Sequence, residues 1–242
     1  MFLVSGSGAA ARWVVTDRAG GESARPYDSL NLGGHVGDDP DRVAGNRARV
    51  AAGIGLAPGD LRFMNQVHGA QVAHVGGDAA DDLPDADAMV TAERGVALAV
   101  LVADCVPVLL ATRRSDVIAV AHAGRRGVAA CVVPATVGAM QELGARPSRI
   151  VAKVGPAICG RCYEVPKAMQ EEICSVVPEA RSTTAAGTPG LDLRAAVVAQ
   201  LLASGVRTIE VESWCTAERD DLFSHRRDGV SGRFAGLVWL PA

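Results

Sequence analysis

Two histidines and one cysteine stand where a chain can do chemistry. His68 lies in FMNQVHGAQV, immediately before a glycine. Cys105 lies in ALAVLVADCVPVLL, where one apolar run stops and the next starts. His122 lies in DVIAVAHAGRRG, where an apolar run gives way to a glycine- and arginine-rich loop. Strand ends followed by turns are where ligand sites gather in layered α/β proteins. A thiol and two imidazoles brought together there serve either of two chemistries. They form a cysteine–histidine nucleophile pair, or they hold a borderline-soft metal such as zinc with a fourth coordination position open. Each residue alone has an ordinary explanation: a cysteine after an apolar strand is usually core, and a single histidine usually caps or hydrogen-bonds. The spacing from 68 to 105 to 122 matches no local metal motif. Asp104 beside Cys105 shifts the balance, because a buried strand rejects a charge.

Other residues carry weaker signals. Cys159 and Cys162 form a CxxC in VGPAICGRCYEV, a redox pair or half a zinc site. No second CxxC exists to complete a structural zinc site, and the motif lacks the usual place between a first strand and its helix. Cys131 and Cys174 fall in helical patterns and are expected in the core. Cys215, in ESWCTAE, ends a strand, with a structural role as the default. Arg125-Arg126 and Arg226-Arg227 read either as solvated, ion-paired surface, with Asp228 an obvious neighbour, or as an anion clamp. The glycine-rich SLNLGGHVGDD and HAGRRG bring backbone amides within reach of an anion, but match neither a P-loop nor a dinucleotide fingerprint.

The elements that must position these residues alternate along the chain. Residues 12–16, 61–67, 71–75, 96–103, 107–112, 117–122, 150–154, 208–213 and 235–240 read as strands. Residues 39–52 read as a helix opened by Asp39 with Pro40 in its first position. Residues 127–143, 165–177 and 191–203 read as further helices, the last opening at Asp192. Residues 20–37 read as an ordered loop, 76–87 as an acidic, turn-rich stretch, and 178–190 as a surface connection. The expected class is α/β (α+β): a layered sandwich with a mixed β-sheet flanked by helices, one domain over residues 1–242.

Composition narrows the function. The 242 residues are 49% hydrophobic and 21% charged, which excludes disordered, collagenous and disulfide-scaffold chains. A net charge of -3 argues against a nucleic-acid binder, since neutralising phosphates needs a basic face. The longest apolar run, 96–111, is broken by Asp104 and falls short of the roughly 20 residues of a membrane span. The N-terminus lacks a basic region and an apolar run of signal-peptide length. A cytoplasmic protein with reduced cysteines is expected, and a monomer is plausible at this size.

Eight stretches together resemble one family: RAGGES, PYDSLNLGGHVGDDP with Asn46-Arg47, NQVHGA, ADCVPVLL, AHAGRRG, GPAICGRCYEV, LDLRAAVVAQL and CTAERDDLFSHRRDGVSGRFAGLVWL. It is the multicopper polyphenol oxidase (laccase)-domain family, also described as peptidoglycan editing factor and as purine nucleoside phosphorylase. The matches run in the family's order from about residue 18 to the C-terminus. The resemblance implies an active site of His68, Cys105 and His122 that binds zinc, within a layered sandwich. It implies phosphorolysis of adenosine, inosine and methylthioadenosine, with adenosine deamination beside it. Older naming implies copper-dependent oxidation of phenols, and bacterial members carry a role in editing peptidoglycan precursors.

The chain departs from the family pattern in three places. Arg125 stands where tryptophan is usual, Asp17 where threonine is usual, and His225 where tyrosine is common. These touch substrate preference and leave the three-residue core intact. For the substrate, Asn31 and Gln66 are candidates to hydrogen-bond base or ribose, and Arg126, Arg47 or Arg18 to hold phosphate. Asp104 is a candidate proton shuttle. The chain lacks the H-x-E and P-C-x-x-C signature of zinc deaminases. Five histidines, His35, His68, His74, His122 and His225, are too few for a multicopper relay, although copper could occupy a single site in vitro. Three readings stand: a zinc-dependent purine nucleoside phosphorylase, a cysteine hydrolase of cell-wall precursors with Cys105 as nucleophile, and a protein whose cysteines and histidines are only structural.

Overall fold

The chain opens with an antiparallel pair, β1 (Phe2–Gly8) and β2 (Ala11–Thr16), followed after a long loop by helix α1 (Pro40–Ile54). Short strands β3 (Leu61–Arg62), β4 (Val72–His74) and β5 (Ala88–Thr91) lead to three strongly apolar ones, β6 (Ala97–Val102), β7 (Val106–Thr112) and β8 (Ile118–Ala123). Helices α2 (Arg125–Ala129) and α3 (Val132–Glu142), strand β9 (Ile150–Val154) and helix α4 (Lys167–Val176) follow. The hairpin of β10 (Arg181–Thr183) and β11 (Pro189–Leu191) precedes α5 (Leu193–Ala203), β12 (Thr208–Val211), α6 (His225–Asp228) and β13 (Phe234–Trp239). The structure, a computed structural model, describes residues 1–8, 11–76, 84–113 and 116–242. Most of the acidic stretch expected at 76–87 lies outside the described residues.

The expected α/β class is found, with two large mixed sheets in place of one. The first has the order β1-β2-β13-β6-β3 and the second β12-β9-β7-β8-β5-β4. In each, antiparallel pairs dominate and parallel pairs sit at an edge: β3 with β6, β4 with β5, and β12 with β9. The reason lies in the period-two alternation of strands buried on both faces. In β6, Leu98, Val100 and Val102 join Leu109, Ile118 and Val120 of the second sheet in a core between the sheets. Ala97, Ala99 and Leu101 instead face the core beneath α1, with Val50, Ala51, Leu30 and Leu32. The far side of the second sheet packs on α3, α4 and α5 through Val137, Met140, Ile173 and Val197. Four layers result. Each large apolar side chain buried this way contributes about 1.5–3 kcal/mol.

Helix ends follow local signals where those are strong. Asp39 caps α1 by accepting from the Asp41 amide, Pro40 follows it, and Gly55 ends the helix at φ 77. Asp192 caps α5 by accepting from the Ala195 amide. The single helix expected over 127–143 is two helices, broken at Cys131, which adopts φ 62. Pro134 explains the break: its ring would clash with the carbonyl four residues earlier, so it is accommodated only in the first turn of a new helix. Cys131 is therefore exposed, a correction to its expected core position, whereas Cys174 is buried as expected. The strand expected over 61–67 shrinks to β3 and one bridge from Asn65 to Asp85.

Candidate active site

The chain passes from the first sheet to the second between β6 and β7, and Asp104 and Cys105 lie at that crossing. Asp104 makes the turn at φ 85, a left-handed conformation rare outside glycine. Its carboxylate accepts from Thr216 Oγ1 (2.6 Å), Ser224 Oγ (2.7 Å) and the Arg226 amide (2.7 Å). These three donors make Asp104 a brace between the crossing and the loop around α6. Cys105 is thereby held at the mouth of the inter-sheet core.

His122 has the same parity along β8 as Ile118 and Val120, and so points toward the first sheet. Its partner across the ladder is Pro107, two residues after Cys105. His68 arrives from the loop before β4 at φ 62. The ligand atoms of His68, Cys105 and His122 lie within 4.8 Å of one another, and the two rings meet edge to face at 4.8 Å between centroids. The three residues singled out in the sequence thus converge.

Asp87, which sequence reading missed, orders the cluster. Its Oδ1 lies 2.8 Å from His122 Nδ1, and its carboxylate accepts the amides of His68 (3.0 Å) and Gly69 (2.5 Å). With Nδ1 engaged, His122 turns Nε2 to the cluster. Burial alone would push the Cys105 thiol up; the charge of His122, with hydrogen bonds from both rings, outweighs it and lowers the thiol to about 6. Burial likewise opposes charge on His122, but Cys105 and Asp87 overcome it and raise the ring to about 9. Each group thus favours the charged form of the other, with Asp87 reinforcing the ring.

The donor set fits a metal ion. One thiolate and two imidazoles are all donors that zinc accepts, and three of them leave a fourth position open; the carboxylate behind His122 is the usual outer support of a ligating histidine. Space is kept for the cluster by Gly124: a Cβ there would sit 3.0 Å from Cys105 Sγ and 3.2 Å from His68 Cδ2. These residues open on a cavity of about 390 Å³. Its walls carry four arginines, Arg125, Arg126, Arg226 and Arg233, together with His35 and Tyr163. Arg226 stacks over Tyr163 at 5.1 Å and donates to the Glu164 carbonyl. Partial burial, with Arg233 and Arg47 close by, holds His35 below its ordinary value.

The remaining predicted site residues divide. Arg126 and Arg125 both line the cavity. Gln66 reaches the cavity, but its amide is spent on the backbone of Leu101, donating to the carbonyl and accepting the amide at 2.8 Å each. Asn31 is fully buried and does not contact the cavity. Its Oδ1 accepts the amides of Gly33 and Arg233, and its Nδ2 donates to Asp38, so it braces Arg233 on the cavity wall. Arg18 pairs with Asp28 and Asp228, and Arg47 stacks on Phe63 and donates to the Leu32 carbonyl, both away from the cavity wall. No local signal marked Asp87, His35, Tyr163 or Arg233; the fold brings them in from four separate segments.

Residues 12–241 match the family model described as multi-copper polyphenol oxidoreductase laccase. A purine nucleoside phosphorylase of Streptomyces coelicolor is 57% identical over 95% of this chain and 96% of its own length. One of Mycobacterium tuberculosis is 52% identical over 95% of this chain and 92% of its own. Among solved structures, a protein of Neisseria meningitidis superposes with a TM-score of 0.90 at 38% identity, covering 100% of this chain and 99% of the other. YlmD of Geobacillus stearothermophilus superposes at 0.91 and 34% identity with the same coverage.

Proposed function

The chain belongs to the multi-copper polyphenol oxidoreductase laccase family, and from that premise we propose that it is a metal-dependent purine nucleoside phosphorylase with adenosine deaminase side activity. The observation that carries the reading is one cavity holding both the His68–Cys105–His122 cluster and four arginines. The relatives' names supply the substrate class: purine nucleosides and phosphate.

In phosphorolysis, a phosphate oxygen bonds to the ribose C1′ while the C1′–N9 bond breaks. The bonding pair leaves with the purine, which takes up a proton. The products are free base and ribose 1-phosphate. Phosphate must be desolvated and held against the sugar, and guanidinium groups match its oxygens bidentately. Arg126 is exposed and, unlike Arg226 and Arg233, is not tied to a backbone carbonyl among the described residues, so it is assigned the first contact with phosphate. Arg226 and Arg233 are anchored by backbone carbonyls and supply fixed positive charge. Tyr163 offers a ring face to the base. Adenosine deamination adds water at C6 and releases ammonia, giving inosine.

His68, Cys105 and His122 would hold zinc, with copper able to replace it in vitro. When bound, the ion supplies Lewis-acid polarisation and an oxygen nucleophile at neutral pH. Asp87 fixes the His122 tautomer, and Asp104 fixes the backbone that presents Cys105. Adenosine and inosine incubated with and without phosphate test the reading: base release that depends on phosphate supports it, and release that ignores phosphate overturns it.

A second reading rests on the Cys105–His122–Asp87 series, in which a thiol held low, an imidazole held high and a buried carboxylate lie in order. That arrangement suits a cysteine-dependent hydrolase acting on peptidoglycan precursors. A covalent acyl adduct at Cys105 in metal-free protein incubated with a muropeptide supports it; turnover that requires the ion and leaves Cys105 unmodified removes it.

A further inference from the structure

Three cysteines outside the catalytic cluster are gathered by two loops. Cys159 and Cys162 lie in the turn after β9, where the amides of Cys162 and Tyr163 both donate to the Cys159 carbonyl at 3.0 Å. Cys215 and Glu218 lie in the turn after β12, where the Glu218 amide donates to the Cys215 carbonyl at 3.1 Å. A bridge between Ala157 and Cys215 sets the two turns side by side. The Cys159 amide points at Cys215 Sγ (3.3 Å), and Cys162 Sγ lies 3.5 Å from Glu218 Oε1. One ligand atom from each of the four residues falls within 4.8 Å of the others, and all three thiols are free.

We propose that Cys159, Cys162, Cys215 and Glu218 form a second metal site, a structural zinc site closed by four protein ligands. The CxxC has no second copy in the sequence, but a C-x-x-E turn from a separate loop supplies the missing half. Three thiolates and a carboxylate are donors that zinc accepts in tetrahedral geometry, with no position left for substrate. The amide directed at Cys215 Sγ is the outer-shell hydrogen bond that thiolate ligands attract. A disulfide is the poorer use of the cluster, since joining two of the thiols strands the third beside a carboxylate. Cys215 is buried, whereas Glu218 is exposed and closes the site from the solvent side.

The ion would staple the wall of the active cavity without entering it. Ile158 and Tyr163, on the CxxC loop, line the cavity. The Ile158 amide donates to the Asp104 carbonyl at 3.0 Å, and Thr216, next to Cys215, donates to the Asp104 carboxylate. Clamping the two loops therefore fixes the turn that presents Cys105.

Metal content of the full chain, purified under reductant without nickel resin, tests the proposal. The His68→Ala/His122→Ala variant retains all four ligands and is expected to carry about one zinc per chain, as closed structural sites do. Its cobalt form is expected to show a sulfur-to-cobalt charge-transfer band, lost when Cys159→Ser and Cys162→Ser are added. Wild type binding one more zinc than this variant reports on the catalytic cluster separately, so failure of that reading leaves this one standing. Should the serine changes prevent folding, anomalous scattering at the zinc edge on the histidine variant locates the ion directly. A histidine variant free of zinc, or one whose Cys159 and Cys162 are joined as a disulfide under reductant, overturns the proposal.

Discussion

Asp87 binds His122 from behind, Oδ1 to Nδ1 at 2.8 Å, and with the same carboxylate grips the amides of His68 and Gly69. One buried side chain thus sets the ring of one cluster member and the backbone of another, although the three residues come from different segments. Asp87→Asn keeps the size and loses the charge. Outer-shell changes of this kind cost about 10- to 100-fold in metal affinity or activity. The expected result is zinc affinity weakened within that range while far-ultraviolet circular dichroism stays that of wild type. Zinc affinity equal to wild type would show that the pair only supports the fold.

Removing the ion is expected to abolish phosphate-dependent base release. Dialysis against a chelator followed by zinc restores it if His68, Cys105 and His122 hold the ion. Cys105→Ser replaces the soft ligand with a hydroxyl that ionises far less readily, and is expected to lose the ion of this cluster together with activity. Full activity in the chelated protein would move the chemistry elsewhere.

The parts legible in the sequence were those with local causes. Asp39 and Pro40 marked the start of α1 because capping is settled within a few residues, whereas its end runs two residues past the expected one, to Ile54 before Gly55. His68, Cys105 and His122 stood out because each lies where an expected strand gives way to turn chemistry. The second sheet was missed because 96–103 reads as one buried strand whether one or two layers cover it. The partner of Asn31 was not legible for a related reason: an amide in a glycine-rich loop looks free until Arg233, distant in sequence, takes its oxygen. Asp87, and the pairing of Cys215 with the CxxC loop, arise only from long-range packing.

Gly124 faces the cluster, and a methyl group there would press on Cys105 Sγ and His68 Cδ2. Overpacking costs about 1–3 kcal/mol where neighbours must move. Gly124→Ala is expected to fold with a small loss of stability and a much larger loss of activity and zinc affinity. Equal losses in stability and activity would place the glycine's role in the fold.

Arg126 is free to meet an anion at the cavity, unlike the anchored Arg226 and Arg233. A charge-assisted hydrogen bond is worth about 1.5–3 kcal/mol, so Arg126→Ala is expected to raise KM for phosphate by roughly 10- to 100-fold, with KM for inosine little changed. Arg18→Ala, outside the cavity, serves as the comparison and is expected to leave both constants near wild type. A shift in the inosine constant alone would assign Arg126 to the nucleoside.

Asn31 separates support from contact. Its Oδ1 holds the amides of Gly33 at 2.9 Å and Arg233 at 2.8 Å, and its Nδ2 donates to Asp38 at 2.8 Å, with the side chain fully buried. Asn31→Ala strands those two donors, each at a cost of about 1–3 kcal/mol. For a chain of this size the melting temperature is expected to fall by about 4–24 °C. Because Arg233 sits on the cavity wall, kcat is expected to fall as well, while KM for the nucleoside stays close to wild type. A raised nucleoside KM with an unchanged melting temperature would return Asn31 to the role of a direct substrate contact.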